Sequence, residues 1–374
     1  MTKRKIICFT GTRADYGIYR SLLIELEKDQ TIELQLVVTG MHVLQEYGCT
    51  IEEIKKDSFE ILEAPSILVK GDSTYAMSQS ISLALMYFSN ILHQAKPDGI
   101  LILGDRGEML AAAIAAHYQN ITSFHLHGGE MSGSADDAVR HAISRLSTFH
   151  FVSTNQSKYN LIQMGIEQSR IVVTGSLRKH DVAYVKMIES EVRKRLIEKK
   201  ILLPSNKKIL FVMHPDSKED ISFQKQIDTV LVSISSLEDV DVIILGTNSD
   251  AGGEVFRNSI NKYRELNKNA IYVESLPPYE FLYLLSQVNL FIGNSSSGII
   301  EAPFYHLPFL NIGRRQQNRE QGGNVINAPY NSKIIEENIS KLLSIPKKEY
   351  ENPYDVLDSP AEDIVKYIKS WIKS

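Results

Sequence analysis

Short apolar runs rich in Ile, Val and Leu recur along the chain and constrain its fold more than any other feature. They are KIICFTG (5–11), ELQLVVTG (33–40), GILILGD (99–105), SFHLHGG (123–129), TFHFVST (148–154), RIVVTGS (170–176), KILFVMHP (208–215), DVIILGTN (241–248), AIYVES (270–275), LFIGNSS (290–296) and LPFLNIG (307–313). Between them lie segments of helical period such as YGIYRSLLIELEK, GEMLAAAIAAHYQ and YEFLYLLSQ. A strand that is apolar on both faces needs cover on both, and alternation with amphipathic helices supplies it. The expectation is an α/β chain with parallel sheets. Many runs end in Gly, Asp, His, Asn or Ser, and in open parallel sheets ligands bind beyond the carboxyl ends of the strands.

At 374 residues the chain exceeds one ordinary core. The polar segment 180–208 divides it into two Rossmann-like domains, an N-terminal one over 1–180 and a C-terminal, nucleotide-binding one over 181–358. SPAEDIVKYIKSWIKS (359–374) has the form of a closing helix, with Pro360 suited to its first turn, that packs back on the N-terminal domain. The active site is expected in the cleft between the domains. Apolar residues make up 43% and charged residues 23%, with a net charge of −4. Nothing in that balance selects nucleic acid or an acidic membrane. No apolar run approaches the ~20 residues of a membrane span, and MTKRKIICFTG reads as a first strand rather than a signal peptide. Cys8 and Cys49 are the only cysteines. They offer no metal cage and fit a reducing, cytoplasmic setting.

Several polar groups fall at strand ends. Arg13 in FTGTRADYG (9–17) sits in a strand-to-helix turn, where it either binds an anion beside helix N–H groups or is exposed, with Asp15 as the cap. The absence of GxGxxG disfavours a dinucleotide. Asp105 in ILILGDRGEML (100–110) is either a helix cap or an acid–base group, and Glu108 favours the first turn of the following helix through its dipole. His214 in VMHPDSKED (212–220) occupies the matching position in the second half. In LFIGNSSSGIIEAP (290–303), Ser296, Ser297 and Gly298 open onto backbone N–H groups suited to phosphate, and Glu301 is placed to accept both hydroxyls of a ribose. NIGRRQQNRE (311–320) adds arginines for a diphosphate.

The densest cluster is HLHGGEMSGSADDAVRHAISRL (125–146). Strand alternation places His125 and His127 on one face. Ser134 and Asp137 form a weak capping box for a helix over 135–147. Val139, Ala142, Ile143 and Leu146 make that helix's apolar stripe, which Asp136 extends by one turn, whereas Asp137 lies about 100° away and is placed to cap or to pair with Arg140 or His141. Helix phase therefore nominates Asp136. Zinc is disfavoured, because HExxH is absent and no cysteine lies near; an acid–base cluster is the more economical reading.

Taken in order, GTRADYG, VVTGMH, LGDRGE, HLHGGEMSGSADDAVRHAISRLSTFHF, TGS, HPD, GNSSSGIIEAP and NIGRRQQNRE resemble the hydrolysing UDP-N-acetylglucosamine 2-epimerases of sialic-acid biosynthesis, over roughly residues 5–325. The resemblance implies a GT-B-type fold and conversion of UDP-GlcNAc and water to UDP and N-acetylmannosamine through a 2-acetamidoglucal. It implies no cofactor and no metal. Carried over by motif, Asp105, His127 or Glu130 of the HGGE segment, and Asp136 are the acid–base groups, with His214. Arg13, His214, Ser296, Ser297, Gly298, Glu301 and an arginine of GRRQQNR, taken as Arg315, hold UDP. Relatives with H-x-E-G-G-E place Glu where His127 stands, which leaves the choice between His127 and Glu130 open. The same chemistry serves a GDP- or UDP-linked 2,4-diacetamido-trideoxy sugar on the route to legionaminic acid. A non-hydrolysing epimerase, a GT-B glycosyltransferase and a non-catalytic nucleotide-sugar sensor complete the alternatives. Relatives commonly form homodimers or tetramers.

Overall fold

A computed structural model describes residues 3–45, 50–70, 73–132, 136–202, 207–235, 237, 239–247 and 252–372. The chain divides into two compact units, Met1–His180 with Val356–Ser374, and Asp181–Asp355. Ser134 of the expected capping box and Cys49 lie outside the described residues. Among those described, no helix is long and apolar enough to cross a membrane.

The first unit holds β1 (Arg4–Thr10), β2 (Ile32–Val38), β3 (Ile61–Glu63), β4 (Gly99–Leu103), β5 (Thr122–Leu126), β6 (Phe149–Val152) and β7 (Ile171–Val173). They form one parallel sheet in the order β3-β2-β1-β4-β5-β6-β7. The chain builds outward from β1 to one edge, then returns and builds from β4 to the other. The order therefore reverses between β1 and β4, where a ligand crevice opens at the strands' carboxyl ends. Strand period separates two cores. Ile6 and Cys8 of β1 join Leu22, Leu26, Leu36, Ile364 and Ile368 on one side. Ile7 and Phe9 join Phe88, Leu92, Met109 and Ala112 on the other. The closing helix Pro360–Ile372 lies over the first of these cores: Trp371 stacks on Phe149 with centroids 4.0 Å apart, and Lys369 reaches Asp29 at 2.6 Å.

The second unit holds β8 (Lys207–Val212), β9 (Val240–Leu245), β10 (Ala270–Val273), β11 (Leu290–Gly293), β12 (Phe309–Ile312) and β13 (Val325–Ala328). Their order is β10-β9-β8-β11-β12-β13, again all parallel, with the reversal between β8 and β11. Segment 180–208 contributes helix Glu189–Glu198, whose Val192 and Leu196 are buried in this unit's core while its charged residues face outward.

The α/β class with parallel sheets is as the apolar runs indicate. β3 and β13 escape that reading because they are not continuously apolar, Glu63 and Asn327 interrupting them, whereas the other edge strands, β7 and β10, are. Several runs also stop being strand before their polar endings, which lie in the loops that carry the site.

Candidate active site

β4 stops at Leu103, and Gly104, at φ +76°, turns the chain and donates its N–H to Leu126 O at 3.0 Å. Asp105 follows. It is not the cap of helix Gly107–Tyr118, which starts on Arg106 without a side-chain cap. Its carboxylate instead pairs with the guanidinium of Arg140 from helix Asp136–Leu146. Arg140 is buried, donates to Glu130 O at 3.1 Å, and lies 3.9 Å from both Glu130 Oε2 and Asp137 Oδ1. A buried cation is tolerable only with such a set of acceptors, and the fork of a guanidinium can serve several at once. One side chain thus fixes the end of β4, the loop after β5 and the start of a helix.

β5 ends at Leu126, so strand alternation does not carry on to His127, and the expected shared face of His125 and His127 is not formed. His125 is fully buried, its Nε2 2.9 Å from Gly104 O and its Nδ1 3.0 Å from Ser144 Oγ. A carbonyl only accepts, so Nε2 carries the hydrogen and Nδ1 accepts from the hydroxyl. Burial, reinforced by nearby His150, pushes its pKa down to about 3, which keeps it neutral. His127 adopts φ +60°, an unfavourable region for a side chain that is not glycine. Its Nδ1 lies 3.1 Å from Glu130 Oε1, and Glu130, itself buried, also accepts from Ser153 Oγ at 2.8 Å. His127 and Glu130 are therefore joined rather than alternatives. Gly129, at φ +74°, passes so close to Ser157 that a Cβ would overlap its carbonyl oxygen.

Asp137 accepts from the backbone N–H and hydroxyl of Ser132 at 2.9 and 2.8 Å. Asp136 is exposed and, with Val139 of the same stripe, lines a cavity of about 600 Å³ that also takes in Asp105, Arg106, Gly107 and Glu108. The rest of the lining is mostly apolar, with Met41, Leu44, Ile67, Leu68, Met77 and Ile81, and includes Lys70 and Ser80. Glu108 does more than favour a helix dipole. It is buried with Arg106 Nε 2.6 Å away. Asp15, also buried, is pushed up to about 6 by desolvation, with Arg106 opposing the shift and Glu108 adding to it. The cap of helix Arg13–Lys28 is Thr12 rather than Asp15: the Thr12 hydroxyl accepts from Asp15 N. Arg13 is half-exposed and pairs with Glu53 at 3.3 Å.

In the second unit, β11 ends on Gly293 at φ +140°, where a Cβ would overlap Val212 O. The next residue, Asn294, is fully buried. Its amide brackets His214, accepting from the N–H and donating to the carbonyl, both at 2.8 Å. Its own carbonyl accepts from Arg315 Nη1 and Gln316 Nε2, each at 3.1 Å. His214 Nδ1 is 3.4 Å from Thr247 Oγ1. Ser296 precedes the one-turn helix Ser297–Ile300, and Glu301 ends it. Gly298 packs flat on Phe309, with no room for a Cβ. Among the arginines, Arg314 turns away to Glu219 and Asp220, whereas Arg315 reaches the Asn294 loop. Among the described residues, no group of three or more His, Cys, Asp or Glu is arranged to hold a metal ion.

A model of the UDP-N-acetylglucosamine 2-epimerase family matches residues 24–369. The chain belongs to that family. It is 38% identical to the UDP-N,N'-diacetylbacillosamine 2-epimerase (hydrolyzing) of Legionella pneumophila, over 94% of this chain and 92% of that one. It is 34% identical to the GDP/UDP-N,N'-diacetylbacillosamine 2-epimerase (hydrolyzing) of Campylobacter jejuni, over 92% and 88%. The crystal structure of the UDP-GlcNAc 2-epimerase from Neisseria meningitidis bound to UDP-GlcNAc superposes with a TM-score of 0.83 at 19% identity, covering 99% of this chain and all of that one. The epimerase fold is thus shared, and the family's GT-B-like pair of parallel sheets is present.

Sequence reasoning passed over Arg140 as more than a partner for Asp137, and did not single out Asn294. Helical spacing signals only the approach of Arg140 to Asp137; its contacts with Asp105 and Glu130 come from distant segments and carry no local signal. Asn294 gave no signal beyond its place at a strand end.

Proposed function

We propose that the chain is a hydrolysing 2-epimerase that converts a UDP-linked 2-acetamido sugar and water to UDP and the free sugar inverted at carbon 2. The observation that carries this reading is the cavity in which Asp105 and Asp136 stand against apolar walls. Inversion at carbon 2 requires a base on one face and an acid on the other, and these carboxylates arrive from different elements. One removes the carbon-2 proton while the C1–O bond breaks and its electron pair leaves with UDP, giving a 2-acetamidoglucal. Water then adds its oxygen to carbon 1 while a proton is delivered to the opposite face of carbon 2. In the HGGE segment we assign proton transfer to His127 and its orientation to Glu130, since the carboxylate already holds Nδ1 and the strained backbone presents the ring. In the second unit, His214, Ser296, Ser297, Gly298, Glu301 and Arg315 bind UDP, with Asn294 as the clamp that sets His214 and Arg315. Arg13, in the first unit, binds phosphate only if Glu53 gives way to it.

Of the candidate sugars, we favour N,N'-diacetylbacillosamine over N-acetylglucosamine. The relatives at 38% and 34% identity carry that name, ahead of two at 33% and 31% that carry the polysialic-acid and N-acetylglucosamine names, and a deoxygenated sugar with a second acetyl methyl suits the Met, Leu and Ile of the lining. The sparse cysteines support a cytoplasmic setting.

Incubation in D₂O with UDP-N,N'-diacetylbacillosamine, its GDP counterpart and UDP-GlcNAc, read by proton NMR, tests the proposal. Free UDP with deuterium at carbon 2 of the released sugar is expected, fastest with the first substrate. Preference for UDP-GlcNAc would return the sialic-acid reading. Epimerisation without nucleotide release would make the enzyme non-hydrolysing, and no turnover of any of the three would sink the proposal.

A further inference from the structure

With carbon 2 of the sugar at Asp105 and Asp136, carbons 4 and 6 of a pyranose fall on the far side of the ring. The cavity beyond the two carboxylates has a distinct wall. Met77, Ser80 and Ile81 share one face of helix Thr74–Ala95, at spacings of three and four, and all three line the cavity. Ile81 marks the near end of that face: a Cβ on Gly107, two residues after Asp105, would come within 2.7 Å of its side chain. Met77 stands one turn, about 5.4 Å, toward the start of the helix. Against the same face runs the segment Ile67–Lys70, which is fixed from two sides. Thr39 Oγ1, just past the end of β2, donates to Pro65 O at 2.7 Å, and Val69 N donates to Ser80 Oγ at 2.9 Å. Met77 is 62% exposed and Val69 37%, although both line a concave surface, so the protein's own chain covers neither. Ser80 supplies a hydroxyl, but that group is engaged: it accepts from Val69 and donates to Ala76 O at 2.8 Å. Lys70, exposed at the end of the segment, can only donate.

We propose that Met77 and Val69 form the subsite for the substituents at carbons 4 and 6, and that Met77 is the residue by which the enzyme selects a deoxygenated sugar over a hydroxylated one. The inference rests on the reading of this cavity as the site of carbon-2 epimerisation. N-acetylglucosamine carries hydroxyls at both carbons. Against a thioether and an isopropyl group, with Ser80 already engaged and Lys70 only a donor, each hydroxyl hydrogen gives up water and finds no acceptor on this wall. A polar group left unpaired in such a place is destabilising. A 2,4-diacetamido-trideoxy sugar brings a methyl at carbon 6 and an acetyl methyl at carbon 4. These cover Met77 and Val69 and remove their surface from water, and the second acetamido carbonyl is an acceptor matched to Lys70. Methionine is unbranched and adapts its shape to such a contact, while the anchored segment holds Val69 in place beside it. Discrimination through one methyl-sized contact or one added hydroxyl amounts to about 10- to 200-fold.

UDP release by the full chain, measured as kcat/KM for UDP-N,N'-diacetylbacillosamine and for UDP-GlcNAc, tests this. Met77→Gln keeps a long, helix-compatible side chain at an exposed position, and should move the ratio of the two constants toward UDP-GlcNAc by about 10-fold or more. Val69→Thr, which exchanges a methyl for a hydroxyl, should move the ratio the same way and decides the matter if Met77→Gln misfolds. Met86→Gln, on the same helix and 54% exposed but outside the cavity lining, should leave the ratio unchanged. The proposal is overturned if folded Met77→Gln and Val69→Thr keep the wild-type ratio, or if they lower both constants equally. A wild-type preference for UDP-GlcNAc with a ratio that still moves as stated would overturn the choice of sugar made above and support the subsite. A wild type that releases UDP from neither substrate would overturn the epimerase reading of the cavity, and the subsite with it.

Discussion

Asp136 and Asp137 are neighbours with the same side chain and different surroundings. Helix phase separated them from sequence alone, since residues three apart share a face and adjacent ones do not. Asp136 borders the cavity, and Asp137 holds Ser132 and approaches Arg140. Replacing Asp136 or Asp105 by Asn should lower kcat by about 100-fold or more while UDP still binds by calorimetry; near-normal turnover in both would remove them from the chemistry. Asp105 was read equally well as a cap, which it is not: helix Gly107–Tyr118 starts on Arg106 without a side-chain cap, and Asp105 pairs with Arg140, 35 residues on. His127 was misplaced because strand phase holds only while the strand lasts, and one positive φ ends it. Asp15 makes a pH-dependent prediction. Its folded pKa, raised by burial from 3.8 to about 6, means the native state binds the proton more tightly than the unfolded chain. Stability should therefore fall as pH rises from about 4 to 6, by up to about 3 kcal/mol for a two-unit shift. In urea melts across that range, Asp15→Asn should lack this component; an identical pH slope in both proteins would contradict the assignment.

Elements were legible where their residues are continuously apolar, which the central strands are and only some edge strands are. β1, β4, β8 and β11 are fully or almost fully buried and stand at the reversals of strand order. Burial on both faces is what makes a run continuously apolar, so these strands announce themselves. β3 and β13 carry Glu63 and Asn327, so no pattern singles them out, whereas the edge strands β7 and β10 are apolar throughout. The GNSSSG turn shows a further limit. Its small residues were read as a phosphate cradle, yet Gly293 and Gly298 are also demanded by the fold, one by a positive φ against Val212 and the other by the ring of Phe309. Gly293→Ala should cost roughly 3 kcal/mol or more, since both the dihedral and the backbone contact are violated. Differential scanning calorimetry should show that loss in the second unit's transition, and a melting curve like the wild type's would mean the turn relaxes more easily than its geometry implies.

For the whole molecule, Val356–Ser374 belongs to the first unit although the second unit's chain intervenes. Ile364, Val365 and Ile368 are buried there. At about 1.5–3 kcal/mol for each side chain covered, their loss rivals the net stability of an ordinary domain. A chain ending at residue 355 should leave the first unit susceptible to proteolysis while Asp181–Asp355 survives; equal resistance of both units would show that the helix is dispensable. Sequence by itself determined the α/β class, the parallel sheets and the family resemblance. These depend on local periodicity and on motifs a few residues long, which a chain displays without being folded. Only the tertiary structure decided that Arg140 joins Asp105 to Glu130, that His127 leans on Glu130, that Asp105 and Asp136 share a cavity, and that Arg315 rather than Arg314 reaches the serine loop. Each is a contact between distant segments, and side-chain directions at strand ends are set by the neighbours that arrive there, which no local pattern encodes.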